Sequence, residues 1–212
     1  MLRSARAVIP HSVPITGINF GSLGFMTELD AAEALVKLPG LLAGDGWIEE
    51  RAMLQARLDS GGETYQVLND VVVCRRSSAR LVRVETRIDG KALTAYRADG
   101  VIVATATGST GYSLAAGGPV LYPQAKEILL KPVCPHLTLD RALVLPPESV
   151  IEMKVDTSHD AMISLDGQLE FVLRSGDGVE VRLSPYIARF LRIQPRDYFY
   201  SSLEERMKGK IL

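Results

Sequence analysis

At 212 residues the chain is long enough to bury a sizeable core, as one large domain or two small ones. Hydrophobic residues make up 47% and charged residues 23%, which excludes a disordered chain; a net charge of −1 excludes the broad basic field that recruits nucleic acid or anionic membrane. The only two cysteines, Cys74 and Cys134, stand far apart with no CxxC or Cys/His cluster, which excludes a disulfide scaffold and a structural zinc site and fits a reducing, cytoplasmic compartment.

Taken in order, Met1–Ile9 has apolar residues at helical spacing (Leu2, Ala5, Val8, Ile9), and Pro10 is expected to stop that helix. Val13–Asn19 reads as a short strand, and the loop around Gly21 and Gly24 leads to a helix over Ala31–Leu38 capped by Thr27 or Asp30. A helix, a strand and a helix in this order look like the second half of an α/β unit, with a first helix that has neither cap nor preceding strand. Neither a membrane span of ~20 apolar residues nor a signal peptide is expected.

From Trp47 the pattern changes to closely spaced short strands: Trp47–Leu58, Tyr65–Leu68, Val71–Cys74, Leu81–Ile88 and Ala92–Arg97, the last two flanking an Asp89-Gly90-Lys91 hairpin turn. Val101–Ala104, Ile128–Leu130, Ala142–Leu145, Val150–Val155, Ala161–Leu165, Leu169–Leu173 and Val179–Leu183 continue it. Such spacing predicts an all-β domain of sandwich-like or barrel-like type. Tyr186–Ile193 and a polar helix over Tyr198–Lys208 form a tail. The predicted architecture is α+β: an α/β stub, a β-rich domain and a returning tail.

Chemistry concentrates in Asp99–Pro119, DGVIVATATGSTGYSLAAGGP, where an apolar strand empties into a loop of Gly, Ser and Thr. Small side chains bring backbone N–H groups and hydroxyls close to phosphate or ribose oxygens. A ligand-free surface loop has the same composition, so the loop alone does not decide. Familiar signatures are absent: there is no GxxxxGK[ST], Gly17, Gly21 and Gly24 miss the GxGxxG spacing, and Thr107–Gly111 misses the GxSxG elbow by one residue. His11, His136 and His159 have no metal-ligand spacing. Polar residues remain at strand ends: Asn69-Asp70, Arg97, Asp99 and Asp166-Gly167-Gln168. Adjacent polar residues in a strand point to opposite faces, so either Asn69 or Asp70 meets core or ligand, unless a bulge leaves Asp70 exposed.

Together these residues resemble the NAD kinase family, through Gly17–Glu28, Asn69-Asp70, Arg97–Pro119, Cys134–His136, Asp166–Gln168 and Ala188–Phe199. The resemblance implies phosphorylation of the 2′-hydroxyl of the adenosine ribose of NAD, with ATP or polyphosphate as donor and a divalent cation, Mg²⁺, as cofactor. It implies an NAD site in which Asn69 and Asp70 hold a ribose and Arg97 and Asp99 contact the nicotinamide end. Thr110, Gly111, Tyr112, Ser113, Leu114 and Ala115 cradle the adenine and its ribose, with Tyr112 stacking, and Arg80, Cys134 and Gln168 line the pocket. Gly111 stands where many members have alanine and Ala115 where many have serine, so a small change in affinity is expected. The family's catalytic aspartate lies in a Gly-Gly-Asp-Gly-Thr motif just before a helix that begins much like Met1–Arg6. It is therefore expected upstream of Met1, no catalytic residue or metal ligand is assigned within the chain, and the 212 residues alone are expected to be inactive. The alternative is a non-catalytic NAD(P)-binding module.

In these terms residues 1–45 are the remnant of an amino-terminal α/β (Rossmann-like) domain, 46–185 the dinucleotide-binding domain and 186–212 a tail packing back on the α/β part. A homodimer or homotetramer is expected, with neither nucleic acid nor membrane as partner.

Overall fold

A computed structural model describes residues 1–21, 24–76, 80–157 and 159–208. Ser22 and Leu23 of the Gly17–Glu28 motif, and the last four residues of the tail, lie outside the described residues. The chain divides into two compact units, one of Met1, Arg3–Glu50 and Ala188–Leu212, the other of Leu2 and Arg51–Ile187.

In the first unit α1 (Leu2–Val8) continues past Val8 as a 3₁₀ turn, Ile9–His11, with Pro10 near its start. Proline suits the first positions of a helical turn, where its missing N–H would have no partner anyway, so it redirects the helix instead of ending it. The expected strand Val13–Asn19 shrinks to β1 (Ile18–Asn19), paired in parallel with β2 (Leu29–Asp30), plus a single bridge from Ile15 to Phe190. Asp30 is the cap of α2 (Ala31–Ala43): its carboxylate accepts from the Glu33 N–H at 2.7 Å, while Glu33 accepts from the Asp30 N–H at 3.2 Å. The helix outruns its expected end at Leu38 by passing through Pro39 and Gly40 to a left-handed Gly44. Buried Leu41 explains this, since it closes a small core with Leu29 and Ala34 and offsets the hydrogen bond that Pro39 cannot make. The unit is completed by α4 (Tyr198–Lys208).

The second unit is built on two six-stranded sheets. The strands are β3 (Trp47–Leu58), β4 (Thr64–Val67), β5 (Asp70–Arg75), β6 (Val82–Ile88), β7 (Lys91–Ala98), β8 (Gly100–Ala104), β9 (Ile128–Val133), β10 (Leu143–Leu145), β11 (Ile151–Val155), β12 (Ala161–Leu165), β13 (Leu169–Leu173) and β14 (Gly178–Arg192). One sheet runs β10-β9-β8-β5-β12-β13, the other β4-β3-β14-β11-β6-β7. Their inner faces share one core, with Val71, Val73, Val101, Val103 and Ile163 from the first and Leu54, Val84, Tyr96, Ile151 and Met153 from the second. The architecture is therefore α+β with a β-sandwich.

The two sheets differ in their outer faces, and the sequence shows it. β6 alternates buried Val82 and Val84 with Arg83 and Glu85, as a sheet with one face in water requires. β8 is buried at every position, and Val72, Ile102, Ala104 and Leu129 form a second apolar layer on the far side of that sheet, packed against Ala116 and Leu121. The segment that follows β8 is thus folded back over its own strand. The β6–β7 hairpin turns on Asp89 (φ 51°) and Gly90 (φ 74°), the two positive values a tight primed turn needs. β14 joins the expected strand at Val179–Leu183 to the residues read as the start of the tail. Its ladder with β11 ends at Val181, before Pro185 is reached, so on that side the N–H that proline lacks is not required. No helix among the described residues is long and apolar enough to cross a membrane.

Candidate functional site

After β8 the chain makes a 3₁₀ turn, Gly108–Thr110, and a single helical turn, α3 (Tyr112–Ala115). The turn is tied to the end of β4 and the start of β5. Thr105 donates its hydroxyl to the Leu68 carbonyl at 2.6 Å and accepts the Gly108 N–H at 3.1 Å, while its own N–H donates to the Asn69 carbonyl at 2.9 Å. Gly108 packs so closely that a Cβ there would lie 2.1 Å from the Asn69 carbonyl oxygen, closer than any side chain allows. Hydroxyls inside the loop are spent locally: Ser109 donates to the Ala106 carbonyl at 2.6 Å and Thr110 to the Thr107 carbonyl at 3.1 Å. Gly118, whose Cβ would lie 2.4 Å from Ser113 Oγ, leaves room for that hydroxyl, which is buried with no partner among the described residues.

Asn69 and Asp70 are fixed from below by Asp166. The Asp166 carboxylate accepts the N–H groups of Leu68 at 3.1 Å, Asn69 at 2.6 Å and Asp70 at 3.4 Å, and the Asp166 N–H donates to the Asp70 carbonyl at 2.9 Å. Asp166 and Gly167 take positive φ, 56° and 63°, in the turn between β12 and β13, which aims the carboxylate at the neighbouring strand. Asp70 is 6% exposed, which removes the alternative of an exposed bulge. Burial, and then the charge of Asp166, push the Asp70 carboxyl up to about 7. Asn69 Oδ1 is buried with no hydrogen-bond partner among the described residues. An acceptor and a carboxylate left without donors mark a place where a ligand's hydroxyl or amide completes the set.

The structure brings Asn69, Asp70, Thr110 and Gly111 together here; a Cβ on Gly111 would lie 3.8 Å from Asp70 Oδ2. Gln168 closes the Asp166 turn through its N–H to the Leu165 carbonyl at 3.0 Å. A second group gathers at the other end of β8. Asp99 is paired with Arg75 at 2.8 Å and donates its N–H to the Val133 carbonyl at 3.0 Å, and the Arg97 carbonyl accepts the His136 N–H at 2.8 Å. Cys134, exposed and at φ 46°, lies between them in the chain. Half-exposed Tyr112 belongs with this group, its phenol pushed up by partial burial and by the fields of Cys74, Asp99 and Cys134. Leu114 is half-buried and Ala115 exposed on the same helical turn. Arg80 is exposed and bonded to His159.

Sequence reasoning missed two residues that build the site, Thr105 and Arg51, and named Asp166 only as part of its Asp-Gly-Gln turn, without a role. Arg51 is 3% exposed and donates to Thr107 Oγ1 at 3.4 Å. Strand parity is the signal for it, because Glu49, Arg51 and Met53 alternate on one face of β3 and all three are buried. The signal for Asp166 is the Asp-Gly pair in a hairpin; for Thr105 none stands out among the neighbouring hydroxyls.

Fold and site define a β-sandwich domain that presents a small-residue turn beside donor-poor buried polar groups. Residues 68–193 match the family described as ATP-NAD kinase C-terminal domain. An NAD kinase of Dehalococcoides mccartyi is 46% identical over 213 residues, 99% of this chain and 75% of its own length, and one of Chloroflexus aurantiacus is 40% identical over 211 residues, 98% and 76%. Among solved structures, yeast NADH kinase complexed with NADH matches with a TM-score of 0.89 at 29% identity, over 98% of this chain and 62% of that one. An NAD kinase from Archaeoglobus fulgidus in complex with ATP matches with a TM-score of 0.78 at 28% identity, over 92% and 74%. The chain belongs to the NAD kinase family, and spans about three quarters of the curated relatives it matches.

Proposed function

We propose that this chain carries the acceptor site of an NAD kinase, which transfers a phosphoryl group to the 2′-hydroxyl of the adenosine ribose of NAD and yields NADP. Family membership supports the reaction, and relatives named NAD kinase do not favour a non-catalytic module. The observation that carries the site is the clamp of the Gly108–Thr110 turn onto Asn69, with Asn69 Oδ1 buried and unpartnered beside it. In this reading Asn69 and Asp70 hold a ribose, the Thr110–Ala115 turn cradles the adenine and its ribose, and Tyr112 stacks on the base. Arg97 and Asp99 meet the nicotinamide end, with Arg80, Cys134 and Gln168 around the pocket. Phosphoryl transfer depends chiefly on positioning and charge stabilisation, so a rigid floor for the acceptor is this chain's contribution.

The phosphate donor is ATP, as supported by the ATP complex of the archaeal relative. Among the described residues no group of three or more His, Cys, Asp or Glu converges, so the side chains present do not fit a metal cage, and no step is routed through one. The divalent cation, Mg²⁺, is assigned to the donor's phosphates. The free thiols of Cys74 and Cys134 support a cytoplasmic setting, and a homodimer or homotetramer, checked by analytical ultracentrifugation, belongs to the same reading.

Calorimetric titration of NAD into the chain tests it. Saturable binding is expected, with no NADP formed on adding ATP and Mg²⁺, because the 212 residues contain no Gly-Gly-Asp-Gly-Thr motif. Failure to bind NAD would sink the site assignment, and turnover would show that the proton acceptor lies within this chain.

A further inference from the structure

The α2 helix is apolar on two sides, and the described residues cover one of them. Ala34 and Leu41 face inward, in a core with Leu29, Ile18, Leu191 and Ile193, while the Glu33–Lys37 ion pair at 2.7 Å marks a polar strip along the helix. Away from that core Leu35 is 84% exposed, Val36 79% and Leu42 80%, and Ala32, Pro39 and Ala43 are exposed beside them. Spaced at three and four residues, these positions form one stripe about 16 Å long, and no charged side chain interrupts it. A helix with one side in water carries charge there, as α4 does with exposed Glu204 and Glu205; a helix that is apolar all round belongs in an enclosed place.

We propose that this outer face of α2 is a self-association surface, on which a second copy of the chain lays its own α2 antiparallel. The order of small and large residues selects that occupant. Ala32, Leu35, Pro39 and Leu42 fall on the a and d positions of a heptad pattern, with Val36 and Ala43 at the flank. A parallel second copy would set Leu35 on Leu35 and Ala32 on Ala32, overfilling one layer and leaving the next empty. Turned about a two-fold axis near residue 37, Ala32 meets Leu42 of the second copy and Leu35 meets its Pro39. Each layer then joins a small residue to a larger one, the helix dipoles oppose, and Glu33 and Lys37 stay outside the seam. The stripe offers roughly 300–400 Å² of apolar surface per copy, so the pair buries roughly 600–800 Å². That is below the ~1,200–2,000 Å² of stable complexes, which makes the contact reversible, with a Kd on the order of 10–100 µM. It does not depend on the NAD-site reading, because α2 carries none of the residues assigned there.

The test is analytical ultracentrifugation of the chain from about 1 to about 200 µM, with and without Leu42→Glu. Whatever assembly exists at the lowest concentration, its mass is expected to double across that range. Leu42→Glu, at an exposed position, should weaken the doubling at least about thirtyfold and leave the low-concentration mass unchanged. Val36→Cys, which lies beside the two-fold axis, should give on mild oxidation a covalent dimer joined at residue 36 of both copies, which the unsubstituted chain does not form. Methyl NMR of the unsubstituted chain needs no variant: the signals of Leu35, Val36 and Leu42 should shift together as concentration rises. No doubling, doubling that survives Leu42→Glu, or a Val36→Cys chain that yields no dimer joined at residue 36 overturns the proposal. Methyl signals that stay fixed, or that are already shielded from a soluble paramagnetic probe at the lowest concentration, would give the face to another occupant and overturn it as well.

Discussion

Two buried polar clusters, one in each unit, use the same residue types for opposite ends. In the first, Arg192 bonds Glu49 at 2.7 Å and Glu28 at 3.0 Å, and the other Glu28 oxygen accepts the N–H groups of Ile193 and Gln194, each at 2.7 Å. The charges there are met from within the unit. In the second, Asp166 is met but Asn69 Oδ1 and Ser113 Oγ have no partner among the described residues, and Asp70 is buried beside the charge of Asp166. A closed cluster holds the fold together and needs nothing more. An open one of equal burial carries a desolvation cost that a ligand relieves, and that is the mark of a site.

The largest effect expected is on the closed cluster. Arg192→Met leaves Glu28 and Glu49 buried without their cation and should cost about 3–5 kcal/mol in chemical denaturation. A loss below about 1 kcal/mol would mean that the cluster is not closed in solution and that the contrast fails.

Asp70→Asn tests the open cluster with the opposite sign. The Asp70 carboxyl is raised in the folded chain, so between about 3.8 and about 7 the folded state keeps a proton that the unfolded chain has given up. Its contribution to stability is fully present below that window and lost as pH rises through it. Asp70→Asn should therefore match the unsubstituted chain near pH 4 and exceed it by about 2–4 kcal/mol at pH 8, read from thermal or urea unfolding at both pH values. Equal stability at pH 8 would show that Asp70 is solvated after all.

Gly108→Ala comes next, because its methyl would lie 2.1 Å from the Asn69 carbonyl and the turn must move. A loss of about 2–3 kcal/mol in stability and roughly a hundredfold in NAD affinity is expected, measured by urea unfolding and calorimetry. Ser113→Ala is the smallest. Its hydroxyl has no partner to lose, so stability should stay within about 1 kcal/mol while NAD affinity falls severalfold. A destabilisation well beyond that would place Ser113 with the closed cluster.

Local chemistry was enough for much of this molecule. Alternation in β6, the unbroken apolar run of β8, the Asp89-Gly90 turn and the Asp30–Glu33 cap are each written within a few residues, and each forms where its pattern says. The glycine-rich stretch after β8 and the Asn69-Asp70 pair were likewise visible as candidates for a polar site. What the sequence left open was decided by partners distant along the chain. The α2 helix crosses Pro39 because Leu41 finds a core, and β14 crosses Pro185 where its ladder with β11 has ended. Asp166, 96 residues from Asp70, turned out to be the group that orders the Leu68–Asp70 backbone, and Arg51 lies beneath Thr107. Whether a buried acid is closed or open depends on which donors the fold brings within 3.5 Å, and no spacing in the sequence states that. The residue types at the site were legible from the chain alone; which of them remain unsatisfied was settled only by tertiary structure.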